Sequence, residues 1–345
     1  MPASSALPEP LAPLAALAEL ARTQSSVFTL DQARLCLVGE KVIARLVRSR
    51  EWIPQRRGVY INRAELDLCA GKSVQLHAIA VQAYLLVHSG DLVVSHASAA
   101  ALHHLSLLKG YGSQPVVTLH RPEQTPPSRP GDQLAASVPT DQRTTAYGMT
   151  VTTRERTVAD LARTSPWEAA VVMADAALRA GVDRDRVLRL LNGPCTRWPG
   201  AVQARRVLQF ADRRSESALE SRGRCWFDVL TLPAPEPQVE IYDEQGRFVA
   251  RVDFLFKEQR TICETDGRGK YLQQTDDAKP DRKGDALWVE KVREDRLRAL
   301  RFEVVRAYWS DGDDEGARLN AELMKAFAAS VANPFPLLGS TRSTG

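Results

Sequence analysis

The chain has 345 residues, which is enough for two or three domains that each bury a core of their own. Charged residues make up 26% of the chain and hydrophobic residues 44%, a balance typical of a soluble globular protein. The chain opens with neither a basic leader nor a long apolar run, and its five cysteines are scattered without a CxxC pair. The sequence therefore predicts a cytoplasmic protein with reduced thiols. It argues against a membrane span, a disulfide framework and a cysteine zinc site.

The charge of the chain is unevenly distributed. The formal net charge is only +4, but nine lysines and arginines oppose three acids between Arg22 and Arg63, a local balance of +6. The remainder is slightly acidic in sum, so we expect the basic charge to belong to one small module.

That module spans residues 25–63, after a flexible N-terminus over residues 1–24. Thr29-x-x-Gln32 predicts a capped first helix, and Gly39 supplies the turn to a second helix. The second helix has one apolar stripe and, on another face, a basic stripe made of Lys41, Arg45 and Arg48.

The stretch from Trp52 to Ile61 predicts a tight β-ribbon behind the basic helix. Helix, turn, basic helix and ribbon together predict a winged helix-turn-helix that binds DNA. The basic helix is then expected in the major groove, with Arg56 and Arg57 of the ribbon on phosphates. The alternative is a solvated surface helix with no ligand.

Two segments carry a family resemblance. Arg57-Gly58-Val59-Tyr60 and Ser95-His-Ala-Ser-Ala-Ala-Ala-Leu102 resemble the AbiEi-type antitoxin family of bacterial toxin-antitoxin systems, over roughly residues 25–200. The resemblance implies a repressor that acts on its own operon, and it raises a cognate toxin as a partner besides DNA. Residues 64–204 are then an α-rich middle domain.

A second pattern lies near the C-terminus. Phe248 to Phe256 alternates apolar and polar residues like a half-buried strand, and Thr261 to Asp266 predicts its hairpin partner across a four-residue turn. Counting back from the turn places Asp253 opposite Glu264 and Arg251 opposite Asp266. Two carboxylates in that position repel each other, so a cation is expected between them. Either Mg²⁺ (or Mn²⁺) or the side chain of Arg251 would serve.

The same stretch resembles a Vsr-like domain of the PD-(D/E)xK restriction-endonuclease superfamily, over roughly residues 205–312. The resemblance is carried by Val252-Asp253-Phe254, by Glu264-Thr-Asp-Gly-Arg-Gly-Lys-Tyr271, and by flanking motifs at Ser217-Ala-Leu-Glu220 and Glu290-Lys-Val-Arg-Glu. It implies a metal held by Asp253, Glu264 and the carbonyl of Thr265, which activates water for phosphodiester hydrolysis. The superfamily has lysine where this chain has Asp266, so Lys270 or Lys291 would have to orient the water.

Glu220 allows two interpretations. Ser217-x-x-Glu220 is a capping box that opens a helix. By resemblance, Glu220 is also a candidate third acid of the catalytic site.

The sequence thus predicts an α+β multidomain protein. It begins with a winged helix-turn-helix, continues with the α-rich middle domain and a restriction-endonuclease-like α/β domain, and ends in a helix and flexible tail over residues 313–345. Three functions stay open at this point. They are a metal-dependent DNA endonuclease, an antitoxin-like repressor with an inactive nuclease-type domain, and a C-terminal domain whose acids form a structural ion-pair network.

Overall fold

The computed structural model describes residues 11–108, 114–120, 133–266, 280–333 and 335–344. It divides into two compact units, Met1–Gln209 and Phe210–Gly345, and each contains helices and β-sheet. The chain is therefore a multidomain protein of mixed α and β structure, which confirms the predicted class, while the predicted limits of the separate domains stay predictions. Within the described ranges, none of the helices has both the length and the apolar character needed to cross a bilayer.

The first part of unit one combines three helices with a three-stranded antiparallel sheet of order β1-β3-β2. Its elements are α1 (Leu11–Arg22), β1 (Val27–Thr29), α2 (Leu30–Leu35), α3 (Glu40–Arg48), β2 (Trp52–Arg56) and β3 (Val59–Asn62).

Local sequence explains where these elements begin and end. The hydroxyl of Thr29 accepts a hydrogen bond from the N–H of Gln32 at 3.1 Å, and Gln32 Oε1 accepts one from the N–H of Thr29 at 2.8 Å. This is the predicted capping box of α2. Gly39 precedes α3, as predicted. The ribbon turns at Gly58, whose φ of +79° is a conformation that glycine adopts without steric cost.

The prediction of a flexible N-terminus is wrong for residues 11–22, which form helix α1, while residues 1–10 lie outside the described part of the chain. Leu17 and Ala21 are buried in one apolar cluster with Phe28 and Trp52, whose rings meet edge to face at 4.7 Å. The spacing of Leu14, Leu17 and Ala21 places all three on one helix face. Packing on the sheet therefore stabilises the helix, and the composition of residues 11–22 alone did not indicate this packing.

The second part of unit one contains a five-stranded sheet of order β6-β5-β4-β8-β7 and helices, some of which also pack on the three-stranded sheet. Its strands are β4 (Leu92–Val94), β5 (Val117–His120), β6 (Gln133–Ala136), β7 (Arg143–Ala146) and β8 (Met149–Thr152). Its helices are α4 (Arg63–Leu68), α5 (Ser73–Leu85), α6 (His96–Leu102), α7 (Arg154–Thr164), α8 (Trp167–Arg179), α9 (Arg184–Asn192) and α10 (Ala201–Phe210).

A sheet of this size was not expected in a region predicted to be α-rich. The hairpin of β7 and β8 did have a local signal, because Tyr147 and Gly148 form its two-residue turn with φ values of +52° and +74°. Positive φ at both turn residues matches the right-handed twist of the strands.

A buried charged network holds α7 in this region. Asp160 accepts a hydrogen bond from Arg156 Nε at 2.9 Å and another from Arg163 Nε at 3.2 Å. The guanidinium groups of both arginines lie over the ring of Trp198, at 4.5 and 4.9 Å from its centre. His96, at the start of α6, is buried beside these charges, and its Nε2 atom has no hydrogen-bond partner among the described residues.

Burial lowers the pKa of His96 from 6.5 to about 4, although the charge of Asp160 opposes the shift. Between pH 6.5 and 4, His96 therefore binds a proton in the unfolded chain but not in the folded chain. We expect the contribution of His96 to stability to be complete above pH 6.5 and to fall by about 3 kcal/mol as the pH drops to 4. Urea unfolding of wild type and His96→Gln at several pH values measures it. A difference between the two proteins that does not vary with pH would contradict the expectation.

Unit two contains a five-stranded sheet of order β12-β11-β10-β9-β13, in which β11 and β12 are parallel and the other neighbours antiparallel. Its strands are β9 (Glu236–Tyr242), β10 (Phe248–Phe256), β11 (Thr261–Asp266), β12 (Glu303–Tyr308) and β13 (Ser340–Ser343). Its helices are α11 (Ala218–Val229), α12 (Pro280–Ala299) and α13 (Ala317–Ala332). Helices α11 and α13 share an apolar cluster with one face of the sheet, and α12 shares one with the other.

The end of the chain is more ordered than predicted. Residues 340–343, expected in a flexible tail, form β13 on the edge of the sheet beside β9. Arg342 lies opposite Glu240, and its guanidinium lies 5.4 Å from the ring centre of Tyr242. These contacts join residues about a hundred positions apart, so no local pattern indicates them.

Candidate functional site

The predicted basic stripe lies on the exposed face of α3. Lys41, Arg45 and Arg48 are exposed, whereas Ile43 and Leu46 on the opposite face are buried. Within the described part of the chain, none of the three cations takes part in an ion pair. The stripe therefore presents three positive charges to solvent.

Two acids of this module, Asp31 and Glu40, share one arginine as their partner. Arg34 of α2 pairs with Glu40 at 2.7 Å and with Asp31 at 2.9 Å. Both carboxylates thus pair with an arginine that lies outside the α3 stripe.

The two arginines of the ribbon have different surroundings. The guanidinium of Arg56 lies 4.7 Å from the ring centre of Tyr84 in α5, a cation–π contact that anchors the ribbon. Arg57 is exposed at the turn. Of the two arginines predicted to contact phosphates, Arg57 is the one that lies in the turn between β2 and β3.

Basic charge is not confined to this module, contrary to the expectation from composition. Between Arg179 and Arg214, nine arginines oppose three aspartates. Several of these arginines are engaged within the protein. Arg186 pairs with Asp183 at 3.5 Å, and the guanidinium of Arg206 lies 4.5 Å from the ring centre of Trp167.

In unit two, the predicted hairpin register is confirmed near its turn. Phe256 pairs with Thr261, and the ladder continues to the pair Phe254 and Cys263. Next to this pair, the side chain of Asp253 bonds to the neighbouring strand. Its Oδ2 accepts hydrogen bonds from the backbone N–H of Thr265 at 2.7 Å and from the Thr265 hydroxyl at 2.6 Å.

An arginine that sequence reasoning missed lies beside Glu264. Arg293 of α12 places its Nη1 3.1 Å from Glu264 Oε1 and 3.4 Å from the carbonyl oxygen of Arg251. The side chain of Arg251 pairs with Glu216 at 2.8 Å instead, so the predicted role of Arg251 as the cation of the cluster is wrong. One signal was present: Arg293 precedes the buried Leu297 by four residues, so both share the inward face of α12.

Asp266, which stands where the resembled superfamily has lysine, has a partner of its own. Asp266 lies 3.8 Å from Arg306, which also pairs with Glu294 at 2.8 Å. Of the candidate replacements, Lys270 lies outside the described residues. Lys291 is exposed, and it precedes Arg293 by two residues, which turns it by about 200° around the helix from the side that faces Glu264.

Glu220 makes part of the predicted capping box, and its role as a catalytic acid stays a prediction. Its N–H donates to the Ser217 hydroxyl at 3.1 Å, as a cap requires. Its Oε2 accepts hydrogen bonds from the N–H of Glu216 at 2.8 Å and from the Gln238 amide at 2.9 Å, so the return bond reaches one residue before the cap. Burial raises the pKa of Glu220, and the nearby charge of Asp253 raises it further.

The donor set does not fit a divalent cation as it stands. Oxygens of Asp253 and Glu220 accept hydrogen bonds from protein donors, and Glu264 is paired with a guanidinium. The described residues contain no group of three or more histidine, cysteine or acidic side chains placed to hold a metal ion. The acids are brought together, but with protein cations and donors among them.

Comparison with known proteins adds little. No protein-family model matches the chain. Two uncharacterized proteins from two strains of Mycobacterium tuberculosis are 43% identical to it over 65 residues. The match covers 19% of this chain and 24% of each relative, so the chain spans only about a quarter of the relatives that it matches.

Proposed function

We propose that this chain is a DNA-binding protein that recognises duplex DNA through α3 and acts as a transcriptional repressor of the AbiEi antitoxin type. The observation that carries the proposal is the exposed basic stripe on α3, while Asp31 and Glu40 of the same module pair with Arg34 instead. The element order also supports it. Helix, strand, two helices and a ribbon, with the first strand paired to the last, is the arrangement of a winged helix.

The dimensions of the stripe suit the major groove. Lys41 and Arg48 are seven residues apart, which corresponds to about 10 Å along the helix axis. The groove is about 12 Å wide and admits a helix, so these side chains reach base edges and the phosphates beside them. Arg57 at the ribbon turn supplies a further phosphate contact.

Selection from a random pool of duplex DNA by the full chain tests the proposal. We expect one motif to be enriched. If Lys41, Arg45, Arg48 and Arg57 each neutralise a phosphate, the logarithm of affinity should fall against the logarithm of salt concentration with a slope of about −3 to −4. Binding without enrichment of any motif, or without dependence on salt, would contradict specific recognition by this surface.

A metal-dependent endonuclease is the second candidate function, and two observations favour it. Glu220, Asp253 and Glu264 come from α11, β10 and β11, and Asp253 lies close enough to Glu220 to raise its pKa. The order α11, β9, β10, β11, α12, β12 also agrees with the restriction-endonuclease resemblance. The pairing of Glu264 with Arg293 and of Asp266 with Arg306 opposes it.

Incubation of plasmid DNA and the selected duplex with the full chain and Mg²⁺ or Mn²⁺ separates the two functions. The repressor proposal expects intact DNA, because the carboxylates are engaged within the protein. Cleavage that Asp253→Ala abolishes, with DNA affinity retained, would favour the endonuclease. Asp313→Ala is the matched control, since Asp313 is an exposed aspartate of the same unit.

A further inference from the structure

We propose that the guanidinium of Arg293 prevents divalent metal ions from binding to the carboxylates of Glu220, Asp253 and Glu264. Its guanidinium supplies the positive charge that Glu264 requires, in the place where the fold resemblance implies a metal ion. The inference goes beyond the proposed function, because it concerns unit two and does not depend on DNA recognition by α3.

Arg293 and Glu264 form a close ion pair that is largely buried. Arg293 Nη1 lies 3.1 Å from Glu264 Oε1, and the two side chains are 27% and 9% exposed. Charge-assisted hydrogen bonds of this kind are stronger than neutral ones, and removing one partner leaves an uncompensated buried charge. Arg293 therefore neutralises the charge of Glu264 in a largely buried ion pair, not in an exposed pair that solvent would screen.

The position of Arg293 is fixed by the packing of α12. Leu297, one helical turn further on, is buried in the apolar cluster that joins α12 to the sheet. The N–H groups of Arg293 also reach the carbonyl oxygen of Arg251 in β10, at 3.4 Å. The side chain is thus directed at the carboxylate by its own helix and by the neighbouring strand.

One oxygen of each neighbouring carboxylate is also occupied by protein donors. Asp253 Oδ2 accepts both donors of Thr265, and Glu220 Oε2 accepts the Glu216 N–H and the Gln238 amide. A divalent cation that bound Glu264 would lie within a few ångströms of the guanidinium, and like charges at that distance repel. Metal binding therefore requires that Arg293 first leave Glu264.

Calorimetric titration of the full chain with Mn²⁺ tests the inference. We expect Arg293→Gln to bind Mn²⁺ at least tenfold more tightly than wild type, and Arg293→Gln with Glu264→Gln to lose that gain. Arg298→Gln is the matched control, because Arg298 lies on the same helix and pairs with Glu294 at 2.9 Å. The control should bind Mn²⁺ like wild type.

Equal Mn²⁺ affinities of wild type and Arg293→Gln would overturn the inference, and so would wild-type binding that Glu264→Gln weakens. If Arg293→Gln does not fold, paramagnetic broadening in wild type decides. We expect the amide signal of Thr265 to stay sharp at millimolar Mn²⁺, and broadening at equimolar Mn²⁺ would overturn the inference. DNA affinity through α3 is measured separately, so failure here leaves the proposed function standing.

Discussion

Replacing Arg45 and Arg48 together by alanine should weaken binding of the selected duplex by about 30-fold to 10⁴-fold, since a good arginine–base contact contributes about 1–3 kcal/mol. If the pair contacts phosphates instead, the salt slope should become shallower by about 2. Both side chains are exposed on α3, so the variant should fold like wild type. Fluorescence anisotropy of labelled duplex at several salt concentrations measures both quantities.

The matched control for this variant is Arg22→Ala with Arg63→Ala. Both residues belong to the basic stretch from Arg22 to Arg63, and each pairs with an acid a few residues away along its own helix. The control removes the same charge from outside the α3 stripe and should change affinity far less. Equal losses from the two double variants would indicate a general charge effect and locate base recognition elsewhere.

Asp160→Asn should destabilise unit one by about 3–5 kcal/mol, the cost of breaking a buried ion pair by removing one partner. The side chains of Arg156 and Asp160 are 2% and 1% exposed, and Asp160 also serves Arg163. Without the carboxylate, two guanidinium groups stay buried beside Trp198 with no opposite charge from residue 160. Urea unfolding at neutral pH measures the loss.

An exposed pair of the same chemistry provides the comparison. Asp67 lies 3.9 Å from Arg63 on α4, and both side chains are at least half exposed. Asp67→Asn should cost less than about 0.5 kcal/mol, because solvent screens such pairs. A small effect of Asp160→Asn, similar to that of Asp67→Asn, would show that the buried network contributes little to stability.

Sequence predicted the elements that local rules determine. The capping box at Thr29, the position of Gly39 before α3 and the register from Phe256 with Thr261 to Phe254 with Cys263 all follow from neighbouring residues, and all are observed. The apolar and basic faces of α3 follow from helical periodicity in the same way.

Long-range packing was beyond the reach of these rules. Counting along the hairpin suggested Arg251 as the cation for the acids, but Glu264 pairs with Arg293, 29 residues further along the chain. The same holds for β13 on the edge of the sheet and for α1 on the first sheet, where the stabilising contacts come from distant segments. Arg56 was predicted to contact phosphate, and only the structure shows its stacking on Tyr84.

Site-specific crosslinking from α3 tests the central claim most directly. Ala44 is exposed on the face of Lys41 and Arg48, three and four residues away, so a photoreactive residue there would face bound DNA. We expect it to crosslink to bases of the selected motif, while the same residue at Val202, which is 75% exposed on α10, does not. Crosslinking at Val202 without crosslinking at Ala44 would contradict recognition of DNA by α3.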